Sequence, residues 1–186
     1  MRPVIYSMSV SLDGYIAGPD GDISWAAPDP ELMAFHNEQT ALVAAHVCGR
    51  RLYAGMLPWE TGWADQGGAA EKEFAALWSA IPKVVFSRTL DHVEGNARLA
   101  AGRLTDELDR ARDGSGGVVS VGGAGLAAEL IAADLIDEYR MFINPVVLGG
   151  GTPFFPPGGP RLGLELAGLR QFGSRAYLRY RRARGA

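Results

Sequence analysis

The sequence is short of the residues that build disulfides and metal centres. It contains one cysteine, Cys48, so no intrachain disulfide can form. Cys48 lies in a short apolar stretch, which favours a buried thiol over a reactive one. The three histidines are scattered, and with a single cysteine they offer no metal-ligand spacing, so no metal is expected. Lysine is almost absent: Lys72 and Lys83 stand alone, and every other basic residue is arginine. A formal net charge of −3 argues against general nucleic-acid binding. No apolar run approaches the roughly 18 residues of a membrane helix, so no membrane partner is expected. Met1-Arg2-Pro3 leads straight into a strand-like pattern and lacks the layout of a signal peptide, so the expected compartment is the cytoplasm.

What is present is a globular composition. The 186 residues are 47% hydrophobic, enough for one domain over 1–186 with a core of its own. Val4 to Val10 reads as a buried strand, and Ser11 to Trp25 as a long loop with Asp-Gly and Gly-Pro breakers. Asp29 or Pro30 opens a helix predicted to run to about Ala45. "HVCG", "KVVFS", "ARLAA" and "VVSV" read as short strands. Ala69 to Ala80, Gly102 to Arg112 and Ala124 to Ala133 carry helical spacing. Ile136 to Val147 reads as a long strand and "LGGGTPFFPPGG" as a loop. Leu162 to Phe172 and Arg175 to Arg182 read as an antiparallel pair around Gly173-Ser174. Strands alternating with helices predict an α/β fold whose sheet is covered on both faces, with an antiparallel edge. Arg175, Arg179, Arg181, Arg182 and Arg184 crowd the C-terminus, as on a solvated edge strand.

The segment "VVSVGGAGLAAEL" fits the dinucleotide fingerprint G-x-G-x-x-A from Gly123 to Ala128. A Rossmann fold places that fingerprint early and an acidic residue about 20 positions on, at the ribose. Here the glycines come late, and Phe142, Ile143, Asn144 and Pro145 stand at that distance. The Rossmann reading fails, but the physics of the turn remains. A strand that ends in small residues and opens a helix presents free N–H groups and the positive end of a helix dipole, where anions bind. A tight packing turn explains the same glycines equally well. Two further segments favour the ligand. "CGRRLY" places Gly49, Arg50 and Arg51 after a strand, and "VVFSRTL" places Ser87 and Arg88 after another. Open α/β sheets bind ligands at such strand ends, and the arginine fork suits phosphate.

Taken in order, "MSVSLDGYIAGPDGDISW", "GRRLY", "KVVFSRTL", "VGGAGLAAELIAADLIDEY" and "NPVVLGGGTPFF" resemble the dihydrofolate reductase superfamily over nearly the whole chain. The resemblance is greatest to stand-alone proteins related to the C-terminal reductase domain of the bifunctional riboflavin-biosynthesis deaminase/reductase. It implies a three-layer α/β/α fold around a mixed, mostly parallel sheet of about eight strands. It also implies NADPH as hydride donor and no preceding deaminase domain. On this resemblance Ile16 and Ala17 lie by the nicotinamide ribose. Gly49, Arg50 and Arg51 meet the phosphates, and Ser87 and Arg88 the adenosine 2′-phosphate. Gly122, Gly123, Ala124, Gly125 and Leu126 form the pyrophosphate turn, whose Gly122–Gly123 bond is a place for a cis peptide.

Three positions depart from the pattern. Leu52 stands where the phosphate motif usually carries threonine, Val121 where an acidic residue tends to precede the Gly-Gly, and Tyr15 where a lysine tends to follow Asp-Gly. The last two groups suit a phosphorylated pyrimidine, so their loss argues against that substrate.

The expected function is an NADPH-dependent oxidoreductase acting on a small heterocyclic (pteridine- or pyrimidine-like) or carbonyl substrate. The alternatives are a nucleotide-binding module without turnover, and 5-amino-6-(5-phosphoribosylamino)uracil reductase. Asp13 is the first candidate proton donor, with an Asp-Gly turn as its other reading. Asp29 is the second, with a helix N-cap as its other reading. Trp25, Phe35 and Trp59 are candidates for an aromatic substrate slot. A homodimer is expected, because Ile136–Val147 carries bulky groups on both faces and Phe142 calls for a cover.

Overall fold

The computed structural model describes residues 1–183, except for the side chains of Trp63 and Asp65; Arg184 lies outside them. The strands are β1 (Val4–Ser11), β2 (Tyr15–Ala17), β3 (Val43–Gly49), β4 (Lys83–Phe86), β5 (Ala97–Leu99), β6 (Val118–Gly122), β7 (Glu138–Asn144), β8 (Thr152–Pro153), β9 (Leu164–Phe172) and β10 (Arg175–Arg182). The helices are α1 (Pro30–Thr40), α2 (Arg50–Met56), α3 (Ala69–Ala80), α4 (Leu104–Arg112) and α5 (Ala124–Ala132). Eight strands form one sheet in the order β5-β4-β3-β6-β1-β7-β10-β9. Neighbours from β5 through β7 run parallel, and β10 turns antiparallel to both β7 and β9. This is the mixed, mostly parallel α/β sheet expected from the sequence. No helix among the described residues is long and apolar enough to cross a membrane.

The two faces of the sheet differ. Val4, Tyr6, Val47, Val84, Val119, Val121 and Tyr139 point to one side and pack with Leu104 and Leu108 of α4 and Leu130 and Ile131 of α5. Tyr6 stacks on Phe154 with centroids 4.3 Å apart. The alternate positions face α1 and α3. There Leu32 and Phe35 of α1 cluster with Phe142, Phe172 and Tyr177.

That cluster corrects one expectation. Phe142 is 3% exposed and lies against the rings of His36 and Phe35, with centroids 4.4 and 6.1 Å away. Helix α1 of the same chain covers this face, so Phe142 gives no reason for a second copy. Local boundaries moved as well. The helix predicted to reach Ala45 stops at Thr40, because Val43 and Ala45 pair with Val118 and Val119 of β6. Tyr15–Ala17 and Thr152–Pro153, both read as loop, pair as a two-stranded sheet of their own. The long strand is confined to Glu138–Asn144.

The far face carries a buried charge cluster. Glu107 of α4 has a fully buried side chain, yet it accepts from Arg98 and the Ala101 N–H (2.9 Å) and pairs with Arg110 at 3.1 Å. The Arg98 hydrogen bonds hold its carboxyl down at about 2, against the burial that would raise it. A carboxyl held low stabilises the fold above its unfolded pKa of about 4.3 and loses that contribution as pH falls toward the folded value. Glu107→Gln should therefore lower stability by about 1.5–3 kcal/mol at neutral pH. In urea unfolding, the gap from the unmodified chain should close between about pH 4 and pH 2. A gap independent of pH would mean that the charge of Glu107 contributes nothing.

Candidate active site

Strands β4, β3 and β6 are parallel neighbours, so their C-terminal ends lie side by side. Gly49 aligns with Phe86, and Cys48 with Gly122. The sequence candidates Gly49, Arg50, Arg51, Ser87, Arg88 and Gly122 through Leu126 thus share one edge of the sheet. Gly49 and Gly123 stand at the N-caps of α2 and α5, and neither helix has a side-chain cap. Gly123 has φ +100°, a conformation that favours glycine, and a Cβ there would stand 3.8 Å from the Gly49 nitrogen. Gly49 and Gly125 face open space. No cis peptide occurs among the described residues, so the Gly122–Gly123 bond is trans. Arg50, Arg51 and Arg88 are exposed. Arg50 Nη1 donates to Thr89 Oγ1 at 2.8 Å. Ser87 Oγ accepts from the N–H groups of Thr89 and Leu90, which folds its loop back on itself.

Beside this edge, between the sheet and helices α1 and α3, lies a cavity of about 410 Å³. Ile16 of β2 reaches its lining, as do Leu52 and Gly122. Ala17 does not. Gly122 is forced to be glycine by close approach: a Cβ there would stand 2.8 Å from His46 Nε2 and would collide with Leu52.

The floor of the cavity contains residues that the sequence reading passed over. Ser7 and Ser9 of β1, Ser120 of β6, His46 of β3 and Arg140 of β7 all line it. The signal was present in "VIYSMSVS", where serine recurs at every second position of a strand that is buried on both sides. Arg140 is 5% exposed. Its Nε donates to Glu138 Oε1 at 2.6 Å and its Nη1 to Gln39 Oε1 at 2.8 Å. Burial pushes the His36 imidazole down to about 4; burial and the neighbouring Lys83 push His46 down to about 3. Lys83 itself is buried against Glu60 at 2.9 Å and donates to the carbonyls of Trp78 and Ile81. Burial raises the Cys48 thiol to about 12, an inert state.

The two candidate acids lie elsewhere. Asp13 is exposed and accepts from Ser11 Oγ (2.7 Å), Leu148 N (3.1 Å) and Gly149 N (2.7 Å). The Ser11 bond, with help from those N–H groups, keeps its carboxyl below the usual range. It clips the loop after β1 to the loop after β7. Asp29 caps α1 by accepting from Leu32 N at 2.9 Å and pairs with Arg175 at 2.8 Å. Neither lines the cavity, and among the described residues no carboxylate does. Of the three aromatic candidates only Trp59 lines it. Phe35 belongs to the Phe142 cluster, and the Trp25 indole donates to the Asp22 carbonyl.

Comparison with known proteins agrees with this architecture. YyaP of Bacillus subtilis (strain 168), an uncharacterised protein, is 30% identical over 93% of this chain and 90% of its own length. The diaminohydroxyphosphoribosylaminopyrimidine deaminase/5-amino-6-(5-phosphoribosylamino)uracil reductase of Thermotoga maritima superposes with a TM-score of 0.66 at 17% identity, over 98% of this chain and 57% of that one. Dihydrofolate reductase from Enterococcus faecalis, in a complex with NADP(H), superposes with a TM-score of 0.61 at 18% identity, over 98% of this chain and 97% of that one. At these identities the two structures establish the fold. Residues 2–178 match the model of the RibD C-terminal domain. The chain belongs to the RibD C-terminal domain family, and its fold is that of the Enterococcus dihydrofolate reductase.

Proposed function

We propose that this protein is an NADPH-dependent reductase of a small C=O or C=N compound. The observation that carries this reading is the meeting of two features at Gly122. This residue ends the central strand β6 and opens the glycine turn onto α5, and it also lines the cavity. A phosphate-bearing cofactor fits the strand-end edge. Gly49 and Gly125 leave room above the backbone, and Gly123 allows the turn to approach Gly49. The first-turn N–H groups of α5 have no side-chain cap to satisfy them. Arg50, Arg51 and Arg88 supply positive charge on the same edge. The Enterococcus reductase, whose fold this chain shares, holds NADP(H).

In this reading Gly49 and Gly122 through Leu126 hold the pyrophosphate, Arg50 and Arg51 flank it, and Ser87 and Arg88 take the 2′-phosphate. Ile16 and Ala17 border the nicotinamide. Bound NADPH would supply the hydride that adds to the electrophilic carbon, while the heteroatom takes a proton from water. The chain's own part is to orient the acceptor and exclude bulk water, which the enclosed floor and helical cover of the cavity suit. Asp13 and Asp29 are committed to loop and cap contacts, so water is the better proton source. The alternative of nucleotide binding without turnover corresponds to an NADPH complex that oxidises nothing across a panel of ketones, quinones, imines and pteridines.

Two measurements test the assignment. NADPH should bind roughly 10- to 100-fold tighter than NADH, the worth of a charge-assisted contact, and Arg88→Ala should erase most of that difference. Equal affinities in the unmodified protein would remove Ser87 and Arg88 from the site. Gly123→Ala should weaken NADPH at least about tenfold, because it strains a left-handed backbone at the turn. Its circular dichroism should stay native. Unchanged affinity would move the pyrophosphate elsewhere.

A further inference from the structure

The cavity has a definite chemistry. One wall is aromatic: Trp59 meets Phe74 edge-on at 4.7 Å, and Phe74 lies parallel to Trp78 at 6.2 Å. The floor offers the small hydroxyl side chains of Ser7, Ser9 and Ser120. Charge is balanced throughout. Arg140 is the one charged residue among the described lining residues, and Glu138 and Gln39 already engage it. The imidazoles of His36 and His46 are held neutral by burial.

Against this neutral background stands a deficit of hydrogen bonds. His46 is 5% and Trp78 7% exposed, and their rings meet edge-on at 5.1 Å. Neither nitrogen of His46 nor the indole nitrogen of Trp78 has a hydrogen-bond partner. A buried polar group without a partner is costly, so unpartnered nitrogens on two adjoining residues that line one cavity point to an acceptor supplied from outside. A carbonyl oxygen has two lone pairs, enough for an imidazole N–H and an indole N–H together. Leu52 and His46 Nε2 both stand close to the Cα of Gly122, so the imidazole lies beside the glycine turn. A phosphorylated substrate would instead bring its charge to a cavity with no unengaged cation, and burying such a charge is costly.

We propose that the cavity takes an uncharged, planar, largely apolar carbonyl compound, and that His46 and Trp78 hydrogen-bond its oxygen. This deepens the reductase reading and rests on it for the compound's fate as the hydride acceptor, though not for its binding.

The test is calorimetric titration of the full chain with three probes. Menadione is a neutral flat dicarbonyl, 2-methylnaphthalene has the same outline without the oxygens, and uridine 5′-monophosphate is a charged pyrimidine. Menadione should bind about tenfold tighter than 2-methylnaphthalene, the worth of one hydrogen bond, and the nucleotide should bind weakest. His46→Leu should abolish the preference for menadione and leave 2-methylnaphthalene affinity in place. His46→Gln, which keeps a donor, should restore part of the preference. Trp78→Phe, which keeps the aromatic wall, should also reduce it and serves if His46→Leu does not fold. The proposal is overturned if the nucleotide binds tightest, if neither ring compound binds, or if the variants weaken both ring compounds equally, as a packing role would. Oxidation of NADPH by menadione is followed separately. Tight menadione binding without turnover would count against the reductase reading and leave the cavity assignment standing.

Discussion

The structure depends on one strand held between two parallel partners. β1 pairs with β6 on one side and β7 on the other, and helices cover both of its faces. A strand in that position has no solvent side, so its alternation cannot be the ordinary division into apolar-in and polar-out. Val4, Tyr6 and Val10 face the apolar layer under α4 and α5. Ile5, Ser7 and Ser9 face the cavity. The first set anchors the sheet, and that anchoring allows the second set to be small and polar without loss of the fold.

This division separates stability from chemistry. One layer contains the stacked Tyr6–Phe154 pair and the Leu108, Leu130 and Ile131 side chains, with the Glu107 ion-pair cluster as its buried charge. The opposite layer contains Lys83, His46, Ser120, Glu138 and Arg140, which all occupy buried strand positions. Polar groups placed there need partners. Lys83 finds Glu60 and two carbonyls, and Arg140 finds Glu138 and Gln39. His46 and Trp78 have buried nitrogens without a hydrogen-bond partner. Gly122 joins the two layers, since its missing Cβ admits both His46 and Leu52 to the rim of the glycine turn.

Much of the fold was legible because its punctuation is local. Pro82 stops α3 just past Ala80, and Gly173-Ser174 turns β9 into β10. The glycines after β6 mark a turn whatever it binds. The end of α1 was not legible: no glycine or proline follows Thr40, and the helix yields there to strand pairing with β6, a tertiary effect. The covering of Phe142 was hidden for the same reason, since Phe35, Phe172 and Tyr177 come from distant parts of the chain. Of the two readings offered for each aspartate, the cap reading of Asp29 holds, while the long-range partners Gly149 of Asp13 and Arg175 of Asp29 stand 136 and 146 residues away and could not be read from the sequence. The cavity floor was legible in principle. Serine at every second position of a strand covered on both sides marks a polar surface inside the protein, and only the assumption that buried strands are uniformly apolar concealed it.

The Lys83–Glu60 pair has a consequence for how the site responds to its surroundings. It fastens the turn that carries Trp59 to the sheet, and both side chains are shielded from solvent, at 1% and 5% exposure. Counter-ions weaken interactions between charges they can approach, and this pair is out of their reach. Arg50, Arg51 and Arg88 are open to them. Ionic strength therefore addresses the two halves of the site unequally: added salt screens the exposed arginines, and with them the proposed grip on an anionic cofactor, while the aromatic wall of the cavity keeps its shape.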